Sequence, residues 1–236
     1  MAKVKGPNSH PKNIKLKTPT LTKKQKEFLK IALNENTKII YISGPAGSTK
    51  TFIAVYAALR QIISKDKDLV YVRTVIESAE RNLGFLPGGI EDKFNPYMLP
   101  LNDKLYELIE IKESPSHIEE LAKKNRIQAM PINYLRGASW TDKVIIADEA
   151  QNFTIKELTT LITRIGENCS LFICGDPMQS DINGKSGFNQ IRKMFDDEES
   201  RSRGIYNFNF TEEDIKRSEI LKFIIKKIGD GCNYKT

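Results

Sequence analysis

The sequence predicts a three-layer α/β domain built on a mainly parallel central sheet, and three observations lead there. Short β-branched runs alternate with stretches of helical period along most of the chain. Runs such as "VIIA" and "LFIC" are apolar at successive positions, the pattern of strands covered on both faces. The 236 residues suffice to bury one sizeable core.

In chain order, residues 1–19 read as a basic tail: Lys, Pro, Gly and Asn recur there without apolar period. Residues 20–236 read as a single domain. "TLTKKQKEFLKIALNEN" places Leu21, Phe28, Leu29, Ala32 and Leu33 near one helical face. Expected strands are Lys38–Ser43, Asp68–Arg73, Arg126–Met130, Lys143–Asp148, Leu171–Gly175 and Ile205–Phe210. Expected helices are Lys50–Ser64, Lys104–Ile111, Pro115–Lys124, Ile155–Arg164, Gly187–Met194 and Glu212–Ile228. From Glu77 to Leu101 three Pro and three Gly break any period, so a long functional loop is expected. "DDEESRSRG" from Asp196 reads as a solvated surface loop.

Composition narrows the function classes. Hydrophobic residues make up 39% and charged residues 28%, as in soluble globular proteins, and no apolar run approaches the ~20 residues of a membrane span. The N-terminus lacks the apolar core of a secretory signal, so the cytoplasm is the expected location. Cys169, Cys174 and Cys232 fit neither a zinc cluster nor a disulfide framework, and His10 and His117 stand apart. Catalysis then falls to carboxylates, Lys, Arg or Gln. A formal net charge of +7 suits a polyanionic partner and equally suits plain solubility. In the first 30 residues nine Lys face one Glu.

The chemistry concentrates in three stretches. "GPAGSTKT", Gly44 to Thr51, has the form G-x-x-x-x-G-K-[ST] between a strand and a helix, except that Thr49 stands where the second Gly is usual. Gly44, Pro45, Ala46, Gly47, Ser48 and Thr49 are small because backbone N–H groups must turn inward around phosphates. Lys50 would reach the β and γ phosphates and the Thr51 hydroxyl would hold Mg²⁺. A positive φ at Thr49 would cost a β-branched residue ~1–2 kcal/mol; if Gly47 takes that conformation instead, Thr49 costs little. "KVIIADEAQNF" ends a buried strand in Asp148, a second Mg²⁺ ligand, and Glu149, which would polarise the attacking water. "CGDPMQSD" brings Gln179 to the carboxyl end of a further strand, where a neutral amide can sense the γ phosphate.

Together with "NLGFLPGGIEDKFNPYMLPL", "PINYLRGASW" and "LITRIG", these stretches resemble the PhoH family, P-loop ATPases related to superfamily 1 helicase cores. The resemblance runs from Leu21 to Ile228 and implies a RecA-like core. It implies ATP and Mg²⁺ as ligands, adenine reading by Gln25, and Arg217 acting as a finger in a neighbouring subunit. Arg73, Arg136 and Arg164 are further motif arginines, each open to a structural ion-pair role. Also implied are a hexameric ring and work on RNA or single-stranded DNA. The short chain, without an appended PIN nuclease domain, looks like the phage-borne branch of the family, which would place it in a host cytoplasm.

The first functional expectation is thus an Mg²⁺-dependent ATPase acting on RNA or single-stranded nucleic acid, with Phe85, Phe94 and Tyr97 as base-stacking or packing residues. The alternatives are a slowly hydrolysing regulatory switch or assembly protein, kept open by Thr49, and an ATP-dependent kinase.

Overall fold

The computed structural model describes residues 14–74, 90–110, 114–135, 137, 139–182, 184–215, 220, 223–224 and 227, with the side chains of 90–96 and 114–117 outside that description. In chain order the elements are α1 (Lys23–Ala32), β1 (Ile39–Ser43), α2 (Lys50–Lys65), β2 (Asp68–Arg73), α3 (Ile90–Leu108), α4 (Ser114–Lys123), β3 (Ile127–Pro131), β4 (Lys143–Ala147), α5 (Ile155–Ile162), β5 (Ser170–Gly175), α6 (Phe188–Met194), α7 (Glu198–Ser202) and β6 (Ile205–Asn209). Short 3₁₀ turns follow β3, β4 and β6.

All six strands form one sheet in the order β3-β2-β4-β5-β1-β6, every neighbouring pair parallel. The period of two divides the strands between the layers. Ile40, Ile42, Tyr71 and Ile146 point into a cluster with Phe28 of α1 and Ala54, Ala58 and Leu59 of α2. Ile39, Tyr41, Val70 and Ile145 point the other way, to Phe153, Leu158 and Phe188. This is the RecA-like three-layer arrangement, with β5 inserted between β1 and β4, the strands that feed the Lys50 and Asp148 motifs. Capping boxes start α1 at Thr22–Gln25 and α5 at Thr154–Glu157.

Four expectations change. Ile90 to Leu101 is helix, the first part of α3, although Pro96 and Pro100 lie within it; those prolines hid the period. Tyr97 packs against the core cluster. Phe85 and the Phe94 side chain lie outside the described residues. The Asp196 segment contains α7, started by the Asp197 carboxylate accepting from Ser200 N–H.

The expected tail belongs to the domain from Ile14 onward: Ile14 is buried, Leu16 bridges Ile109, and Lys17 N–H donates to Leu108 O. The expected last helix opens with a 3₁₀ turn at Glu212–Asp214 followed by an extended Ile215; Ile220, Phe223, Ile224 and Lys227 are helical, and its other residues lie outside the description. Cys169 and Cys174 are buried free thiols. Among the described residues no helix is long and apolar enough to cross a membrane.

Candidate nucleotide site

β1 delivers the chain to Gly44 at the carboxyl edge of the sheet. A Cβ on Gly44 would lie 2.8 Å from Phe210 Cβ and 2.9 Å from Ser48 Oγ, so only glycine fits. The loop then turns through Pro45, Ala46 and Gly47, the last at φ 78°. The Ser48 hydroxyl, fully buried, donates to Pro45 O at 2.7 Å and braces the turn from behind. Thr49 is itself left-handed, at φ 64° and ψ 20°. Gly47 and Thr49 both take positive φ, so the threonine does incur the steric penalty.

Gln25 reaches this residue. Its Oε1 accepts from Thr22 N–H at 2.9 Å and its Nε2 donates to Thr49 Oγ1 at 2.7 Å. The amide expected to read a base is thus also the clamp between the start of α1 and the loop.

At the start of α2, Lys50 Nζ donates to Gly44 O at 2.7 Å and Pro45 O at 2.9 Å, leaving one donor direction. Burial pushes the Lys50 ammonium below its ordinary pKa, while Asp176, Glu149 and Asp148 push back. Thr51 Oγ1 donates to Asp148 Oδ1 at 2.8 Å, across 97 residues of sequence. With its proton directed there, the hydroxyl oxygen keeps its lone pairs for a cation. The pair offers two hard oxygen donors, the type Mg²⁺ takes beside phosphates.

Asp148 and Glu149 divide at the end of β4. Asp148 is buried and its N–H continues the sheet ladder to Val72 O at 2.9 Å. Its Oδ2 accepts from Tyr71 Oη at 2.5 Å. Burial, then the charge of Asp148, raises the Tyr71 pKa far above that of an ordinary phenol, so it stays a neutral donor. Glu149 turns out of the strand at φ 54°. Its Oε2 accepts from Gln151 Nε2 at 2.6 Å, and its Oε1 lies 3.6 Å from Arg73 Nη2. Gln151 Oε1 in turn accepts from Asp176 N–H at 3.0 Å, tying this turn to the end of β5.

These groups converge on a cleft of about 580 Å³. Of the expected site residues, Gln25, Ala46, Gly47, Thr49, Lys50, Thr51, Asp148, Glu149 and Gln179 line it. Gly44, Pro45 and Ser48 shape the loop without lining the cleft. Arg217 and Arg136 lie outside the described residues. Arg73 pairs with Glu149, whereas Arg164 makes no ion pair among the described residues.

Sequence reasoning missed Tyr71, Gln151, and the two α3 residues that wall the far end, Lys104 and Glu107, paired at 3.1 Å. The available signals were a hydroxyl-bearing residue within the buried run "LVYV" and the Gln two places after Glu149.

Comparison with known proteins places the chain in one family. The family model described as PhoH-like protein matches residues 17–229. A PhoH-like protein of Synechocystis is 32% identical over 208 residues, covering 87% of this chain and 60% of that protein. Protein PhoH of Escherichia coli K12 is 31% identical over 207 residues, covering 86% of this chain and 56% of that protein. The chain therefore spans somewhat over half the length of these curated relatives. Among solved structures, the Pif1 helicase of Candida albicans superposes with a TM-score of 0.39 at 15% identity, over 82% of this chain and 40% of that one. Pif1 of Bacteroides sp. in complex with ADP-AlF4 gives 0.38 at 15% identity, over 88% and 45%.

Proposed function

The chain belongs to the PhoH-like family, and from that premise we propose that it binds ATP with Mg²⁺ and hydrolyses it to drive the remodelling of RNA or single-stranded nucleic acid. The observation that carries this reading is the meeting of Lys50, Thr51, Asp148 and Glu149 at one cleft, with Thr51 and Asp148 in direct hydrogen bond. Loop N–H groups and the Lys50 ammonium bind the β and γ phosphates. Thr51 and Asp148 would hold Mg²⁺, which would supply neutralisation of negative charge on the phosphate oxygens.

Glu149 orients a water, which attacks the γ phosphorus as the bond to the β–γ bridging oxygen breaks. The proton passes to the Glu149 carboxylate, and ADP and phosphate leave. Gln179, exposed on the cleft wall, donates an amide N–H to the γ phosphate. Tyr71 and Gln151 are positioning residues, one for Asp148 and one for Glu149. The +7 net charge supports a nucleic-acid partner. In this reading the protein acts as a hexameric ring, with Arg217 of one subunit serving its neighbour's site.

A slowly hydrolysing switch is the second reading. It is favoured by the contacts of Arg73 and Gln151 with the two Glu149 carboxylate oxygens, which restrain the base and compete with a water for it. Single-turnover hydrolysis of ATP–Mg²⁺, with and without RNA, separates the two. The ATPase reading expects Glu149→Gln to lower the rate at least ~100-fold while ATP still binds, and RNA to raise the wild-type rate. Equal, near-zero rates in both proteins support the switch.

A further inference from the structure

We infer that Tyr71 sets the protein's preference among divalent cations. By pinning one oxygen of Asp148, its hydroxyl limits that carboxylate to a one-oxygen contact, which suits a small ion of strict octahedral geometry such as Mg²⁺ and penalises a larger one such as Ca²⁺. The inference rests on the nucleotide-binding reading and deepens it.

The placement of Tyr71 follows from the sheet. It stands opposite Ile146 in the register of β2 and β4, and Asp148 lies two residues beyond Ile146, so both side chains leave the same face. Tyr71 is fully buried and does not line the cleft, whereas Asp148 and Thr51 do. It is therefore a positioning residue that acts through Asp148. The two carboxylate oxygens are held separately: Oδ2 accepts from Tyr71 Oη at 2.5 Å, and Oδ1 accepts from Thr51 Oγ1 at 2.8 Å. One donor is anchored on β2 and the other on α2, so the carboxylate plane is fixed between two elements of the core.

Turning both oxygens toward one ion would break the Tyr71 bond. That bond is short and charge-assisted, and the hydroxyl it would strand lies where water does not reach. Mg²⁺ requires no such turn, since a single carboxylate oxygen, a hydroxyl, phosphate oxygens and waters complete its shell. Ca²⁺ has a larger shell and commonly takes both oxygens of a carboxylate, so the clamp denies it a ligand. The discrimination comes from one hydroxyl in the run "LVYV", whose other members are aliphatic.

The test is calorimetric binding of the non-hydrolysable imido analogue of ATP to the full chain and to Tyr71→Phe, in saturating Mg²⁺, in saturating Ca²⁺ and in EDTA. Phenylalanine keeps the ring in the core and removes only the hydroxyl. Wild type should bind the Mg²⁺ complex more tightly than the Ca²⁺ complex, and the variant should show that preference reduced about five- to tenfold. A merely structural role would weaken both complexes alike and leave the ratio where it was.

An unchanged ratio in the folded variant overturns the inference, as does a wild type that binds the Ca²⁺ complex as tightly as the Mg²⁺ complex. Should the variant not fold, pulsed double resonance decides on wild type labelled with carboxyl-¹³C aspartate and loaded with Mn²⁺ and the analogue. The nearest labelled carbon at the distance of a one-oxygen contact or beyond supports the clamp, and the shorter distance of a chelated carboxylate overturns it. Equal binding in EDTA overturns the inference and leaves nucleotide binding standing without its cation. No binding under any condition removes that reading, and the inference with it.

Discussion

The two edges of the sheet both carry buried polar groups and left-handed residues, yet they use them in opposite ways. At the amino edge the strands β2, β3, β4 and β5 are entered through Asp66, Asn125, Asp142 and Asn168, all at positive φ. Asp and Asn tolerate that conformation well. Most polar groups there close on one another, and the exception among the described residues, Arg126 Nη1, has no hydrogen-bond partner but is sealed away from solvent. Lys67 Nζ donates to Ser170 Oγ at 3.2 Å, Ser170 Oγ donates to Gln61 Oε1 at 3.0 Å, and Gln61 Nε2 donates to Ala32 O at 2.8 Å. Arg126 pairs with Asp66 at 2.6 Å and Asp68 at 3.1 Å.

At the carboxyl edge the positive-φ residues other than glycine are Thr49 and Glu149, which fit that region poorly. The polar groups there leave capacity facing the cleft: a Lys50 donor, the lone pairs of Thr51 and the proton of Thr49. The comparison teaches that burial of polar atoms does not mark a site. Strain placed on ill-suited residues, together with hydrogen-bonding capacity left open, does.

Substitutions at the two edges should therefore separate activity from stability. The largest effect is expected for Lys50→Met, which removes the cation proposed to bind phosphate from a desolvated position. ATP hydrolysis should fall at least ~1,000-fold, while the melting temperature stays level or rises because an unfavourable buried charge is gone. Parallel hydrolysis and thermal-melt assays check this, and a variant that loses stability along with activity would erase the contrast.

Next in size is Arg126→Met at the other edge. Arg126 is 3% exposed and its loss strands two carboxylates, but both partners are partly solvated and Lys143 remains 3.1 Å from Asp68. Stability should drop by about 2 kcal/mol in urea unfolding, with hydrolysis per folded molecule unchanged. Smaller again is Thr49→Gly, which should raise stability by about 1 kcal/mol by relieving the positive φ, less what the lost Gln25 bond contributed. The same change at Asn125 should gain nothing, since Asn already suits φ 56°.

What was legible in the sequence follows the same division. All six strands appear within a residue or two of expectation; the four inner ones, β2, β4, β5 and β1, are buried on both faces and must be apolar at consecutive positions, while the edge strands β3 and β6 are only partly buried. The loop and its acids were legible because each motif is local: "GPAGSTKT" and "ADEA" hold their own geometry within a few residues. Tyr71 and the α3 pair were not, since their roles arise from strand order and helix packing. Tyr71 meets Asp148 only because β2 lies beside β4. The helical start of α3 was hidden by Pro96 and Pro100, whose local preference packing overrides. Thr49 was legible as an anomaly, but its partner, 24 residues upstream, was visible only in three dimensions.

The smallest expected effect lies at the amino edge and depends on pH. Burial lowers the Lys67 pKa from its ordinary 10.5 to about 8, with Lys65 adding repulsion. Below about pH 8 the lysine is protonated in both folded and unfolded chains, and the folded state carries the full cost of burying the charge. Between about 8 and 10.5 the folded chain has released the proton while the unfolded chain still holds it, so this group makes stability rise with pH. Cys174, raised by burial, acts with the opposite sign as the unfolded thiol ionises near 9, so the wild-type curve alone does not isolate the lysine. The difference between wild type and Lys67→Met does. The variant should be more stable by about 1 kcal/mol at pH 7, after allowing for solvent screening, and the gap should close as pH approaches 10. A gap that stays constant in urea titrations across that window would mean that the closed network through Ser170 and Gln61 holds Lys67 in one protonation state, making the two edges less alike than their burial suggests.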